Sequence, residues 1–413
     1  MTRKAVITGL GATTPIGGDV PTFWANALAG TSGARTIEED WVEEYNLPVH
    51  FACTLSDDPA DKLSRVELKR MDPTTQYAMV ATREAWADAG LTDVELDPQR
   101  LAVAYGTGIG GVWTLLSSWD ALRERGPRRV MPMTVPMLMP NAAAAMISLE
   151  LNAEAGARTT VSACASGTEA LDQALHLIRS GAADVVVCGG SEAAIHPLPV
   201  AGFAAMQALS KRNDNPQIAS RPYDVDRDGF VLGEGAGTLV IESEDHATSR
   251  GARVYAELAG TGVTSDSHHI TAPEPEGLGA SRAVWEALES AQASPNDVVH
   301  INAHATSTPV GDKPEYLALA SVFGDRISEI PVSATKSQTG HLLGASGAIE
   351  SVLTVKALAD RQAPVTINLE NQDPDIPFHV VTDETTLPEG QRLAISNSFG
   401  FGGHNAVVAF RSI

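Results

Sequence analysis

Three cysteines in 413 residues, Cys53, Cys164 and Cys188, are too few and too scattered for a disulfide framework or a thiolate zinc site. A reducing, cytoplasmic setting is the expectation. Basic residues are scarce too: 29 Lys and Arg stand against 51 Asp and Glu, a formal charge of −22. So acidic a surface repels phosphate backbones and anionic lipid, which disfavours nucleic acid and membranes as partners. Any acidic partner would need a local basic patch. No stretch approaches the ~20 apolar residues that cross a bilayer. The basic start Met1-Thr2-Arg3-Lys4 opens an apolar run that Thr8, Gly9 and Gly11 break, so it reads as a first β-strand and not as a leader peptide. Pro/Ser-rich linkers and low-complexity tracts are absent as well.

What is present is an ordinary globular composition, 43% hydrophobic and 19% charged. The length exceeds what one hydrophobic core usually serves, so two closely packed halves are expected. Short apolar runs at Lys4–Thr8, Leu101–Tyr105, Asp184–Cys188, Gly237–Ile241, Val298–Ala303 and Ala406–Phe410 read as buried strands. Segments of helical period lie between them, over Ala78–Ala89, Thr168–Ser180, Ala280–Ala291 and Ala348–Asp360. This alternation predicts an α/β architecture with parallel or mixed sheets. The 36 glycines gather at strand ends, where tight turns surround a site. A faint repeat supports duplication: Val161-Ser162-Ala163-Cys164 is echoed by Val332-Ser333-Ala334-Thr335. Each echo precedes a long apolar helix, and each half closes on a glycine loop and a strand. The boundary falls near Ser249–Ala252, giving halves 1–250 and 251–413.

Cys164 sits where a β-branched run, Thr159-Thr160-Val161, meets small residues and then a helix with Ala170, Leu171, Ala174, Leu175 and Ile178 on its apolar face. A cysteine on such a strand-to-helix turn meets unpaired N–H groups and the positive end of the helix dipole, which favour a thiolate. Small neighbours admit a substrate carbonyl. Cys53 and Cys188 read instead as small buried hydrophobes. His304, in Asn302-Ala303-His304-Ala305-Thr306-Ser307-Thr308-Pro309-Val310-Gly311-Asp312, follows an apolar strand into a Gly/Ser/Thr loop. His341, in Lys336-Ser337-Gln338-Thr339-Gly340-His341, does the same.

These two boxes, the Val-Ser-Ala-Cys-Ala-Ser-Gly box and Asn397-Ser398-Phe399-Gly400-Phe401-Gly402-Gly403 together resemble β-ketoacyl synthases of dissociated fatty acid synthesis, most closely synthase II of actinobacterial type. The resemblance spans essentially the whole chain. It implies a thiolase-like duplicated fold, layered α-β-α-β-α with two mixed five-stranded sheets, and a homodimer. It implies an acyltransferase with a Cys-His-His site of Cys164, His304 and His341, with Lys336 beside it tuning the local field and pairing with Glu350. Backbone N–H groups of Cys164 and Phe401 would form an oxyanion hole. Ile109, Thr306, Thr308 and Phe399 would line the substrate pocket. The partner would be acyl carrier protein, loaded with acyl or malonyl groups, and no redox or metal cofactor is implied. Because carriers of this kind are acidic, Lys69, Arg70, Arg128 and Arg129 are the candidate docking residues. Two departures stand out: Ala305 replaces a glycine common among relatives, and His404 follows the glycine loop where threonine is frequent.

Other signals are weaker. Gly106-Thr107-Gly108-Ile109-Gly110-Gly111 satisfies G-x-G-x-x-G, but Trp113, Trp119 and the basic run Arg123–Arg129 follow where a dinucleotide fold would place an acidic residue. Asp224-Val225-Asp226-Arg227-Asp228-Gly229 opens like a calcium loop, yet Gly235 stands where the bidentate glutamate belongs. Asp266-Ser267-His268-His269 could suggest a metal, yet adjacent histidines on an extended chain point apart, and the resemblance places this segment near the pocket entrance. A ketosynthase of an aromatic polyketide pathway would share all four boxes. A thiolase would carry a second cysteine in its glycine loop, and a non-catalytic chain-length partner would lack the nucleophile.

Overall fold

The structure, a computed structural model, describes residues 3–413. Eleven strands form one hydrogen-bonded ladder: β1 Ala5–Thr13, β2 Leu101–Gly106, β3 Ala157–Arg158, β4 Val185–Glu192, β5 Gly235–Ser243, β6 Ala256–Ser265, β7 Val298–Asn302, β8 Pro331–Ser333, β9 His379–Val380, β10 Leu393–Gly400 and β11 His404–Ser412. Their order is β9-β8-β7-β10-β11-β6-β1-β5-β4-β2-β3. The middle junction is slight, because β1 and β6 share only the pairs Val6–Glu257 and Ile7–Ala256. On one side lie β1-β5-β4-β2-β3 and on the other β6-β11-β10-β7-β8, with β9 added at the edge. Both run antiparallel, antiparallel, parallel, parallel. The two mixed five-stranded sheets of a duplicated fold are therefore present, joined edge to edge.

Four helices make the layers: α1 Pro73–Asp88, α2 Ser166–Arg179, α3 Leu278–Ser290 and α4 Ser346–Asp360. α1 packs on β1 and β5, and α3 packs on β6 and β11. Glycine permits both contacts. A Cβ on Gly9 or Gly11 would lie 2.1 or 1.9 Å from carbonyl oxygens of Ala85 and Ala81, and one on Gly260 or Gly262 would lie 2.3 or 2.1 Å from those of Ala287 and Ala283. The same close strand-helix approach is thus built twice. Among the described residues no helix is long and apolar enough to cross a membrane.

α2 and α4 lie between the two sheets and against each other. On α2, Leu171, Leu175, Leu177 and Ile178 are buried, each contributing about 1.5–3 kcal/mol by area. The helices meet at their first turns, where a Cβ on Gly347 would lie 1.9 Å from Thr168 Oγ1. Each starts Ser-Gly after a 3-10 turn, Ala163–Ala165 in one case and Leu343–Ala345 in the other. Ala163 and Leu343 both hold left-handed φ values, 50° and 48°. The structural counterpart of Cys164 is therefore Gly344. Thr335, which the four-residue echo suggested, lies earlier, because the short helix Lys336–Thr339 is inserted after β8.

Candidate active site

Cys164 occupies the middle of the turn before α2 and is buried. Ser166 fixes that turn: its hydroxyl donates to the Ala163 carbonyl at 2.7 Å and accepts the Ser162 N–H at 2.9 Å. The left-handed Ala163 stores local strain of about 1–3 kcal/mol next to the reactive sulfur. The glycine loop closes over this turn from the end of β10. A Cβ on Gly400 would stand 2.9 Å from the Ser162 carbonyl and 3.0 Å from the Cys164 nitrogen, so only glycine allows this approach.

His341 does not follow its strand directly. It follows Lys336–Thr339, and Gly340, at φ 69°, turns the chain back toward the cysteine. Its Nε2 lies 3.0 Å from Cys164 Sγ, and its Nδ1 lies 2.9 Å from the Ser346 hydroxyl. A hydroxyl donating to Nδ1 leaves the ring proton on Nε2, facing the sulfur. His304 follows β7 in a loop held by Glu315, whose buried carboxylate accepts the N–H groups of His304 and Ala305, each at 2.8 Å. Asn397 donates to the same carboxylate at 3.2 Å. Asp312 accepts from the N–H groups of Ser307 and Thr308 and steadies the far side of the loop. The two imidazoles stand edge to face, 5.4 Å between centroids at 86°. Sγ and one ring nitrogen of each histidine all lie within 4.8 Å of one another.

Burial holds both imidazoles well below the ordinary histidine range, and the Lys336 charge adds to the effect. They are neutral donors at neutral pH. Burial also pushes the Cys164 thiol up, to about 11, although the N–H of Phe401, the Lys336 charge and the cysteine's own N–H pull it down. This differs from the thiolate expected of a helix N-terminus, because desolvation outweighs the dipole here. The same two N–H groups bear on the sulfur and can bind an oxyanion formed beside it. Lys336 is fully buried with its Nζ 2.5 Å from Glu350 Oε1. Burial raises the Glu350 carboxyl to about 7 against the pull of that ammonium.

The three groups open into a cavity of about 600 Å³, which Ile109, Thr306, Thr308, Phe399 and Phe401 also line. The Thr306 and Thr308 hydroxyls are 3.0 Å apart, and Phe399 packs 5.9 Å from the His304 ring. Lys69 and Arg70 end the exposed helix Arg65–Arg70, and Arg128 and Arg129 lie in the turn Pro127–Arg129; all four are exposed and none lines the cavity. Cys53 and Cys188 are buried thiols without a role at the site, with Cys53 pushed up to about 12. The turn Gly106–Gly111 carries Ile109 to the cavity wall. Asp224 accepts N–H groups of Asp226, Glu370 and Asn371 and pairs with Arg221, as a structural turn does. Asp266 lies at the cavity, holding Asn405 and the Glu274 N–H.

Glu315, Ser346 and Glu192, all buried and all holding parts of the site, went unread in the sequence. For Ser346 a signal existed: a hydroxyl five residues beyond His341.

The sequence pattern of the β-ketoacyl synthase N-terminal domain matches residues 2–247, and that of the C-terminal domain matches residues 255–370. A 3-oxoacyl-[acyl-carrier-protein] synthase 2 of Staphylococcus aureus is 46% identical over 99% of this chain and 98% of its own. One of Mycobacterium bovis is 46% identical over 98% and 96%. Among solved structures, a β-ketoacyl synthase of Burkholderia phymatum superposes with a TM-score of 0.91 at 35% identity, covering all of both chains. A type II polyketide ketosynthase in complex with its acyl-carrier protein superposes with a TM-score of 0.92 at 33% identity, also over all of both chains. With the Cys-His-His constellation at the meeting point of its two central helices, this chain belongs to the β-ketoacyl synthase family.

Proposed function

We propose that this chain is a 3-oxoacyl-[acyl-carrier-protein] synthase that elongates fatty acyl chains by decarboxylative condensation. The carrying observation is the convergence of one sulfur and two neutral imidazoles within 4.8 Å in the lining of a largely apolar cavity. In the first half-reaction Cys164 Sγ attacks the carbonyl carbon of an acyl thioester. The tetrahedral oxyanion is held by the N–H groups of Cys164 and Phe401, the carrier sulfur leaves, and the thiol proton passes to it. In the second, malonyl-carrier protein loses its carboxylate as carbon dioxide. The electron pair left behind forms an enolate whose oxygen is bound by Nε2–H of His304 and His341. Neutral donors stabilise that oxygen without protonating the carbanion. The carbanion then attacks the acyl-enzyme carbonyl, the C–S bond breaks, and the Cys164 thiolate so released takes a proton from solvent as the β-ketoacyl product leaves.

Thr306 and Thr308, beside His304, are placed to orient the malonyl group, and Phe399 and Ile109 to bound the acyl chain. Burial keeps both histidines neutral, and the charge of Lys336, itself paired with Glu350, adds to the effect. Lys69, Arg70, Arg128 and Arg129 would receive the acidic carrier. The chain would act as a homodimer, which would cover the exposed apolar run Leu115, Trp119, Leu122, Met131, Met133 and Val135. Its halves would divide at residues 250 and 251. Relatives at 46% identity support fatty acid elongation over the polyketide reading, whose solved examples share 33%. Intact-protein mass spectrometry after incubation with acyl-carrier proteins tests the reading. Acylation should map to Cys164 and vanish in Cys164→Ala; acylation elsewhere, or elongation by Cys164→Ala, would overturn it.

A further inference from the structure

Glu192, the last residue of β4, is fully buried and has no role in the chemistry above. Its carboxylate accepts four hydrogen bonds. Oε1 takes the Thr107 hydroxyl at 3.1 Å and the Ile109 N–H at 3.2 Å; Oε2 takes the N–H groups of Gly108 at 2.7 Å and Gly344 at 3.0 Å. Burial raises this carboxyl to about 7, and the four donors, which fill the lone-pair positions of the carboxylate, oppose that rise. The Thr107 oxygen in turn accepts the Gly110 N–H at 3.1 Å, so the grip encloses Ile109 from both sides.

The donors belong to two segments far apart in sequence. One is the turn after β2, whose Ile109 side chain reaches the cavity. The other is the turn Leu343–Ala345, which opens α4 and sets Ser346 against His341. No slack separates them, since a Cβ on Gly344 would lie 2.2 Å from the Gly108 nitrogen. A buried carboxylate is costly unless every lone pair is met, and here each is met by a group whose position matters to the pocket.

We propose that Glu192 is a positioning residue that locks the Ile109 wall to the histidine-bearing side of the site and so sets the longest acyl chain that Cys164 accepts. The inference rests on the condensing-enzyme reading, in which Ile109 bounds the acyl chain. Glutamine at 192 keeps the shape but turns one acceptor into a donor that faces an N–H, so it breaks one arm of the clamp. The wall at Ile109 is then free to retreat.

The test compares Cys164 acylation by butyryl- and palmitoyl-carrier protein in the full chain, read by intact mass. In Glu192→Gln the palmitoyl-to-butyryl rate ratio should rise at least about tenfold, the scale of a pocket-wall change. In an Ile109→Ala background the same substitution should move the ratio by less than about twofold, because it acts through Ile109. An unchanged or lowered ratio overturns the proposal, as does an equal shift in the Ile109→Ala background. Should Glu192→Gln fail to fold, Thr107→Val removes, at nearly constant shape, the hydroxyl that donates to Glu192 and accepts the Gly110 N–H, and an unchanged ratio there is equally fatal. Absence of Cys164 acylation in the parent would instead strike the condensing-enzyme reading itself.

Discussion

Replacing His304 with alanine should separate the two half-reactions. The enolate oxygen needs two N–H donors, and the imidazoles of His304 and His341 both approach the sulfur within 4.8 Å. Burial and the Lys336 charge keep both neutral, so each can donate without surrendering its proton. Loss of one preorganised donor in a water-poor site costs about 10²–10³ in rate, or about 2.7–4 kcal/mol. The sulfur's hydrogen-bond partner is His341, at 3.0 Å, and Glu315 grips the backbone of residues 304 and 305, not the His304 ring. His304→Ala should therefore keep its loop and still acylate Cys164. The assay is carbon dioxide release from malonyl-carrier protein, run beside intact-mass detection of the acyl-enzyme. His341→Ala should lose decarboxylation to a similar degree and also acylate more slowly, since it forfeits the contact with Sγ. A His304→Ala enzyme that decarboxylates at the parent rate would refute the two-donor mechanism.

Cys164, its thiol pushed up to about 11 by burial, should stay protonated at neutral pH, so its iodoacetamide alkylation should keep climbing with pH through the alkaline range; a plateau below about pH 9 would contradict the dominance of burial over the dipole. Reversing Arg128 and Arg129 to glutamate should raise KM for carrier-linked substrates, more so at low salt, and leave carrier-free thioesters unaffected. An equal effect on both substrate types would trace the loss to folding. Ile109→Phe should block long acyl chains by overlap that a packed wall relieves poorly while short primers still react. Uniform loss at every chain length would remove Ile109 from the pocket's limits.

The groups proposed to touch the reacting atoms were legible in the sequence because chemistry restricts their type. A nucleophile must be a cysteine or one of few alternatives, and a neutral N–H donor beside it is most readily histidine. Cys164, His304 and His341 could be read from their boxes for that reason, and the structure brings the three together. The strands and helices named from periodicity also stand, mostly with ends a few residues longer. β6 and β10 escaped notice: Gly260 and Gly262 interrupt the apolar run of one, and Ser396, Asn397 and Ser398 that of the other. Yet those glycines carry the truest internal repeat, since Gly9 and Gly11 meet α1 as Gly260 and Gly262 meet α3. The Val-Ser-Ala echo caught the eye and misaligned the halves, because the inserted turn bearing Lys336 displaces Gly344 from the position that echo suggests.

Residues that position others were illegible for a different reason. Glu315 and Glu192 each serve backbone N–H groups, and a backbone donor leaves no mark on residue type. Where backbone conformation is constrained, the mark falls on a neighbour. Ala305 holds φ 36°, a left-handed value that glycine adopts without the Cβ penalty, which explains why a glycine suits this position and what its replacement costs. Glu315 accepts the Ala305 N–H and so holds the residue in that conformation whichever side chain stands there. The departure and the unread carboxylate are one feature of the His304 loop, seen first through its side chain and then through its backbone.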